Sequence, residues 1–323
     1  MTQTDPPFRT MAMPEASGPA VAAAQQGDTA LPFTLLALTA LLWSGNWIVG
    51  RDLRDAMPPV ALTFWRWAGA ALILAPFVLP RLAGRRHRVL RRWRIFLLLG
   101  GTGAALFQLL VYVGLTMTST INAVLMNSSM PLFILLCSWL IEREAASFRQ
   151  IAGVIVSLAG ILVIMLRGDL GQLRHLEINM GDAVILAAMP AWGVYSVVLK
   201  RRPAEFTGVE FLFVLAVAGL LWLAPAFLAE NLLYRSGTLT LRTFGGIVYV
   251  ALAVSVLGYI CWNKGVEAVG ANRAGLTMHL VPAFGTVLAI LLLGEQFYLY
   301  HLVGIATILS GVFLATSAPR RTG

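Results

Sequence analysis

The chain has 323 residues, of which 58% are hydrophobic and only 12% charged, and its mean hydropathy is +0.78. A soluble domain of this size carries roughly 25% charged residues, so a soluble fold is excluded and a polytopic membrane protein is expected. The net charge of +9 is not a nucleic-acid footprint, because the Arg residues fall between apolar segments, and the two cysteines, Cys137 and Cys261, lie inside such segments and form neither a disulfide framework nor a zinc site.

Residues 1–30 are rich in Ala, Pro and Gln and lack the order of a cleaved signal, so they read as a disordered cytoplasmic tail. A membrane-spanning helix needs about 20 mostly apolar residues. Ten windows qualify, at roughly 31–50, 58–79, 95–115, 118–141, 149–166, 181–199, 207–229, 243–267, 271–293 and 297–317. Helices four and nine contain Pro131 and Pro282, and a mid-helix Pro in lipid requires neighbours or a cavity to satisfy the freed carbonyl. With a cytoplasmic N-terminus, seventeen Lys and Arg fall inside, seven of them between Arg81 and Arg94, and six fall outside. This bias puts both termini in the cytoplasm and the 168–176 loop in the periplasm.

The stretch Asn272–Gly311 repeats Ile121–Gly160 at an offset of 151. Pro282 falls on Pro131, Glu295 on Glu144, Gly304 on Gly153 and Gly311 on Gly160. Upstream the register slips by two, so that Trp192 matches Trp43. The chain is a tandem duplication, residues 31–166 and 181–317. Each copy has five spans, an odd number, so the second enters the membrane from the opposite side. The expected fold is an all-α membrane protein of ten helices, two inverted five-helix repeats around a central cavity, with a substrate site near the midplane between the halves.

Helix one carries Trp43-Ser44-Gly45-Asn46-Trp47, helix two Phe64-Trp65-Arg66-Trp67, and each half ends with a Pro, an acidic residue and two Gly. This pattern over residues 31–317 resembles the drug/metabolite transporter superfamily, EamA type, and within it the YddG-type bacterial amino acid exporters. The resemblance implies alternating access, export from the cytoplasm, and a cavity bordered by helices one, three, four, six, eight and nine, with five and ten outside it. The familiar Gly-Glu ending is kept as Gly294-Glu295 but is Arg143-Glu144 in the first half.

Three groups of candidate substrate-binding residues follow. Gln108 and Tyr112 share one face of helix three, and their repeat mates are Tyr259 and Asn263, with Trp262 alongside. Asn127 and Ser128 precede Pro131 as Met278 and His279 precede Pro282. Trp43 and Trp192, with Asn46 and Tyr195 on the same helices, lie about 12 residues into their spans, roughly 18 Å deep, too deep for an interfacial belt. For each the bland alternative is interhelical bonding or packing. Arg66 is expected to snorkel to a headgroup or pair with helix-end carbonyls, a structural role that the resemblance favours, with binding of a substrate carboxylate as the alternative. No Asp or Glu lies mid-span and no nucleophile elbow, Walker loop or metal spacing occurs, so an enzyme is not expected. The function expected is export of neutral and aromatic amino acids by a monomer across the bacterial inner membrane, with a small-molecule substrate, the lipid bilayer as its surroundings and no cofactor or nucleic acid. The alternatives are a nucleotide-sugar or phosphorylated-metabolite exchanger, which would need buried Lys or Arg facing phosphate, and a non-transport membrane protein.

Overall fold

A computed structural model describes residues 30–169, 171–172, 179–234, 237–293 and 296–317. The N-terminal tail, Gly294-Glu295, Arg320 and Arg321, and most of the 170–178 loop lie outside the described residues. Among the described residues ten helices are long and apolar enough to cross a membrane: α1 (Ala30–Leu53), α2 (Pro59–Leu82), α3 (Trp93–Met117), α4 (Asn122–Glu142), α5 (Phe148–Met165), α6 (Met180–Arg201), α7 (Gly208–Leu233), α8 (Leu241–Val269), α9 (Ala271–Leu291) and α10 (Leu299–Thr316). No strand occurs among the described residues. In a membrane this is one of two ways to satisfy every backbone group internally.

Helix starts are set by short polar side chains. Ser147, Asn179 and Thr207 each cap their helix reciprocally with the residue three positions on, Gln150, Asp182 and Glu210. The buried carboxylates of Asp182 and Glu210 therefore sit in first turns, where backbone N–H groups lack intrahelical partners. Asp182 also accepts from Thr118 Oγ1 at 2.5 Å and Asn122 Nδ2 at 3.0 Å, tying α6 to the α3–α4 corner. Glu210 pairs with Arg85 of the basic segment.

The inverted repeat is visible contact by contact. A Cβ added to Gly114 of α3 would lie 2.4 Å from Ile185 of α6, and one added to Gly265 of α8 would lie 2.5 Å from Leu36 of α1. Gly265 is the repeat mate of Gly114, and Leu36 that of Ile185. Likewise α3 crosses α7 at Gly100 and Gly219, while α8 crosses α2 at Ala251 and Gly69. α5 and α10 close on each other through four glycines: an added Cβ would stand 2.5 Å from the Gly311 carbonyl at Gly153, 2.6 Å from the Gly153 carbonyl at Gly311, and 2.7 Å from the Gly304 carbonyl at Gly160. Small residues allow this approach, and van der Waals contact between backbones drives it.

Two helix pairs depart from α geometry at matching places. In α4 the helix breaks at Ser128 and Ser129, and in α9 the turn Thr277–His279 is a 3₁₀ segment. Pro131 and Pro282 follow in the first turn of the resumed helices, where a missing N–H costs nothing. α3 contains a π segment at Gly100–Leu106 and α8 one at Val250–Leu257, again repeat mates.

Candidate functional site

The π segments explain how the centre is built. At their ends Phe107 N–H bonds Thr102 O and Gly258 N–H bonds Ala253 O, both five residues back. Where such a turn reverts to α geometry, one carbonyl is skipped: that of Gly103 in α3 and of Val254 in α8. Each skipped carbonyl is taken by a side chain from the other half. Tyr259 Oη donates to Gly103 O at 2.5 Å, and Trp43 Nε1 donates to Val254 O at 3.0 Å. A buried carbonyl without a donor would be destabilising, so the two aromatic residues are fixed by the helix defect they face.

Around these two bonds the rings cluster. Trp43 lies 5.0 Å from Trp192, 5.7 Å from Tyr259 and 5.6 Å from Trp262. Trp192 further meets Phe107 at 4.9 Å and Tyr195 at 5.0 Å, and Trp67 meets Tyr259 at 4.9 Å. Separations in this range are those of favourable edge and offset ring pairs. Trp67, Trp192, Tyr195, Tyr259 and Trp262 are fully buried, and Trp43 is half-buried. The centre is thus closed and filled by rings in this conformation. Two surface clefts lie elsewhere, between α2 and α7, one lined by Leu82, Phe213 and Val217 and the other by Pro58, Ala226 and Glu230.

A Tyr–Asn hydrogen bond flanks the rings in each half. In the first, Tyr112 Oη donates to Asn46 Oδ1 at 2.8 Å; in the second, Tyr195 Oη donates to Asn263 Oδ1 at 2.7 Å. Asn46 is the repeat mate of Tyr195 and Tyr112 that of Asn263, so the duplication kept the bond and exchanged the partners. On the first half alone a cation joins the pair. Arg66 of α2 does not snorkel. It is fully buried, with Nε 2.5 Å from Ser255 Oγ, and Nη1 2.8 Å from Gln108 Oε1, 3.3 Å from Asn46 Oδ1 and 3.4 Å from Tyr112 Oη.

Five buried donors here have no protein partner: Arg66 Nη2, Asn263 Nδ2 and the indole N–H groups of Trp67, Trp192 and Trp262. Buried polar groups are ordinarily bonded, so this concentration of open donors marks the centre as a place for acceptors.

The remaining candidates form a second group at the paired helix breaks. His279 Nε2 faces the Ser128 carbonyl at 2.9 Å, and Nδ1 faces Ser157 Oγ of α5. Asn127 and Met278 are buried beside them, and Asn127 Oδ1 is unpartnered. The structure therefore brings Trp43, Asn46, Gln108, Tyr112, Trp192, Tyr195, Tyr259, Trp262 and Asn263 into one centre, and Asn127, Ser128, Met278 and His279 into another. Trp67 and Ser255 belong to the first centre without having been candidates from the sequence, and so does Arg66, for which the sequence favoured a structural role over a substrate carboxylate. The available signals were a charge inside an apolar span and a lone hydroxyl within Val250–Leu257.

Comparison with known proteins agrees with this architecture. A solved crystal structure superposes with a TM-score of 0.69 at 22% identity, covering 88% of this chain and 96% of that one. A transporter of Bacillus subtilis, YyaM, is 26% identical over 81% of this chain and 86% of its own, and an Archaeoglobus fulgidus transporter is 24% identical over 88% and 96%. A protein of Streptantibioticus cattleyicolor named a probable terminal-alkyne amino-acid exporter is 29% identical over 86% and 91%. The EamA-like transporter family matches once in each half, at residues 31–166 and 179–317. These relatives are transporters rather than enzymes, and the chain is a multi-pass membrane protein that belongs to the EamA-like transporter family.

Proposed function

We propose that this chain is a secondary transporter exporting small amphipathic metabolites, foremost neutral and aromatic amino acids, by alternating access of its two halves. The observation that carries the reading is the ring cluster between the halves with its five open donors. Aromatic walls suit an apolar side chain, and unpartnered N–H groups suit acceptor oxygens. The naming of one relative as an amino-acid exporter supports the same substrate class. A nucleotide or sugar phosphate would call for several buried cations, and Arg66 is the only fully buried Lys or Arg among the described residues. All the residues involved lie on one chain, so a monomer suffices.

Counterflow in proteoliposomes with radiolabelled amino acids tests this, with aromatic members of the panel expected to exchange fastest. Trp192 is enclosed by other rings, so Trp192→Ala would cost about 3–5 kcal/mol of stability. Trp192→Phe keeps a ring and is the cleaner probe; several-fold slower counterflow is expected at an unchanged yield of folded protein. No exchange of any amino acid would sink the reading.

In this reading the protein lies in the bacterial inner membrane with both termini cytoplasmic, on the strength of the basic-residue bias. A single cysteine at Arg88 should then resist an impermeant thiol reagent in intact cells, and one at Asp169 should react. The reverse pattern would invert the topology.

A further inference from the structure

Arg66 is the eighth residue of α2, roughly 11 Å along it at 1.5 Å per residue. Every group it touches is neutral: the Ser255 hydroxyl, the Asn46 and Gln108 amides and the Tyr112 phenol. No ion pair joins it to an acidic side chain among the described residues, although Arg85, Arg202 and Arg242 each have one, with Glu210, Glu267 and Asp52. A guanidinium is a permanent cation, and a charge buried in a membrane protein is ordinarily matched by an opposite one. Here one prong of the fork, Nη1, and the Nε are held by four neutral acceptors, while Nη2 is buried and open.

The repeat sharpens the point. Gly69 of α2 corresponds to Gly219 of α7 in the helix crossings, which sets Arg66 against Ala216. The two halves share the Tyr–Asn bond, but only one carries the charge. If Arg66 served only to tie helices together, the pseudo-symmetric bond in the second half, which holds without a cation, would need one as well. The cation is moreover beside the rings: its Cζ is 5.6 Å from the centroid of Trp67, which in turn meets Tyr259.

We propose that Arg66 is the carboxylate-binding group of the transport site, and that the protein selects substrates by a carboxylate rather than by an amine. Nη2 takes a carboxylate oxygen while Asn46, Gln108, Tyr112 and Ser255 hold the guanidinium in place. The substrate side chain lies among Trp43, Trp192, Tyr259 and Trp262, and an ammonium group is left to the ring faces. The polarity follows from the asymmetry, with the carboxylate against the first half and the apolar end against the second. This inference rests on the transport reading above.

The test is competition in the counterflow assay by four compounds with one side chain: tryptophan, tryptophanamide, tryptamine and indole-3-propionate. In the unmutated protein the two carboxylates are expected to compete, and the amide and amine to be weaker by about 10–150-fold, the span of a hydrogen bond to a charged group. In Arg66→Gln the gap between tryptophan and its amide should collapse. Equal competition by amide, amine and acid in the unmutated protein overturns the proposal and leaves the transport reading standing, as does an Arg66→Gln protein that keeps the full preference for acids. Absence of counterflow with every labelled amino acid removes the transport reading and the proposal with it. If Arg66→Gln does not fold, the ligand series on the unmutated protein decides alone.

Discussion

His279 is an ionisable side chain whose two ring nitrogens are both engaged by neighbouring helices. The Ser128 carbonyl can only accept, so Nε2 carries a proton and donates to it. Nδ1 meets Ser157 Oγ of α5. The arrangement repairs the break in α4, because the carbonyl at a broken turn has lost its intrahelical donor. His279→Ala should leave that carbonyl open and destabilise the protein by about 1–3 kcal/mol, seen as a lower Tm in detergent. Counterflow per folded molecule should persist. Lost counterflow at an unchanged Tm would make His279 a substrate contact instead. That His279 and Ser128 are repeat mates was legible in the alignment, though not that the two touch. Ser157 was not, because a single serine in an apolar span does not reveal which way its helix is turned. Arg66 stayed open between a structural role and a substrate carboxylate for the same reason. Sequence marks it as costly, but only the packing of α1, α3 and α8 around α2 decides between a headgroup and a buried cluster.

Among the helices, the breaks in α4 and α9 could be read from Pro131 and Pro282, whose missing N–H forces a local solution. The π segments could not. Nothing in Gly100–Leu106 is incompatible with an ordinary α-helix, and the widened turns coincide with tertiary crossings, Gly100 on Gly219 and Ala251 on Gly69. What the π turns supply is one surplus carbonyl per half, and these two carbonyls orient Tyr259 and Trp43. The repeated glycines of α5 and α10 have a different part, which the sequence exposed as a matched pair without showing that the pair touches. A Cβ at Gly311 would press within 2.5 Å of the Ser157 amide nitrogen and 2.6 Å of the Gly153 carbonyl. Neither backbone atom can step aside as a side chain would. Gly311→Ala should therefore push α10 off α5 and cost about 1–3 kcal/mol, measured as a fall in Tm. Because neither helix contributes to the ring cluster, the rank order of competing amino acids should not change; an altered order would mean that α5 and α10 shape the central site.

Across the whole molecule, the inverted duplication was legible because glycines, prolines and tryptophans recurred at nearly one offset, and an odd span count fixes the inversion. The distribution of charge within that frame bears on energy coupling. The buried carboxylates among the described residues, Asp182 and Glu210, are held in capping boxes at helix starts, and Arg85 neutralises Glu210. At the centre the charge is the guanidinium of Arg66. His279, the side-chain type that ordinarily titrates near neutrality, is bonded on both nitrogens at the helix breaks. A proton antiporter needs a group in the path whose charge changes between the two open states, and none of these is so placed. Proteoliposomes loaded with substrate should accordingly release it with no pH gradient. An imposed gradient should not drive accumulation against the substrate gradient, and external pH should leave the steady-state distribution unchanged. Should a pH difference alone concentrate substrate, and His279→Gln abolish that while sparing counterflow, the protein is proton-coupled through His279. If Asp182→Asn or Glu210→Gln abolishes it instead, the coupling runs through a helix-start carboxylate, and the capping boxes are part of the transport cycle rather than of the scaffold.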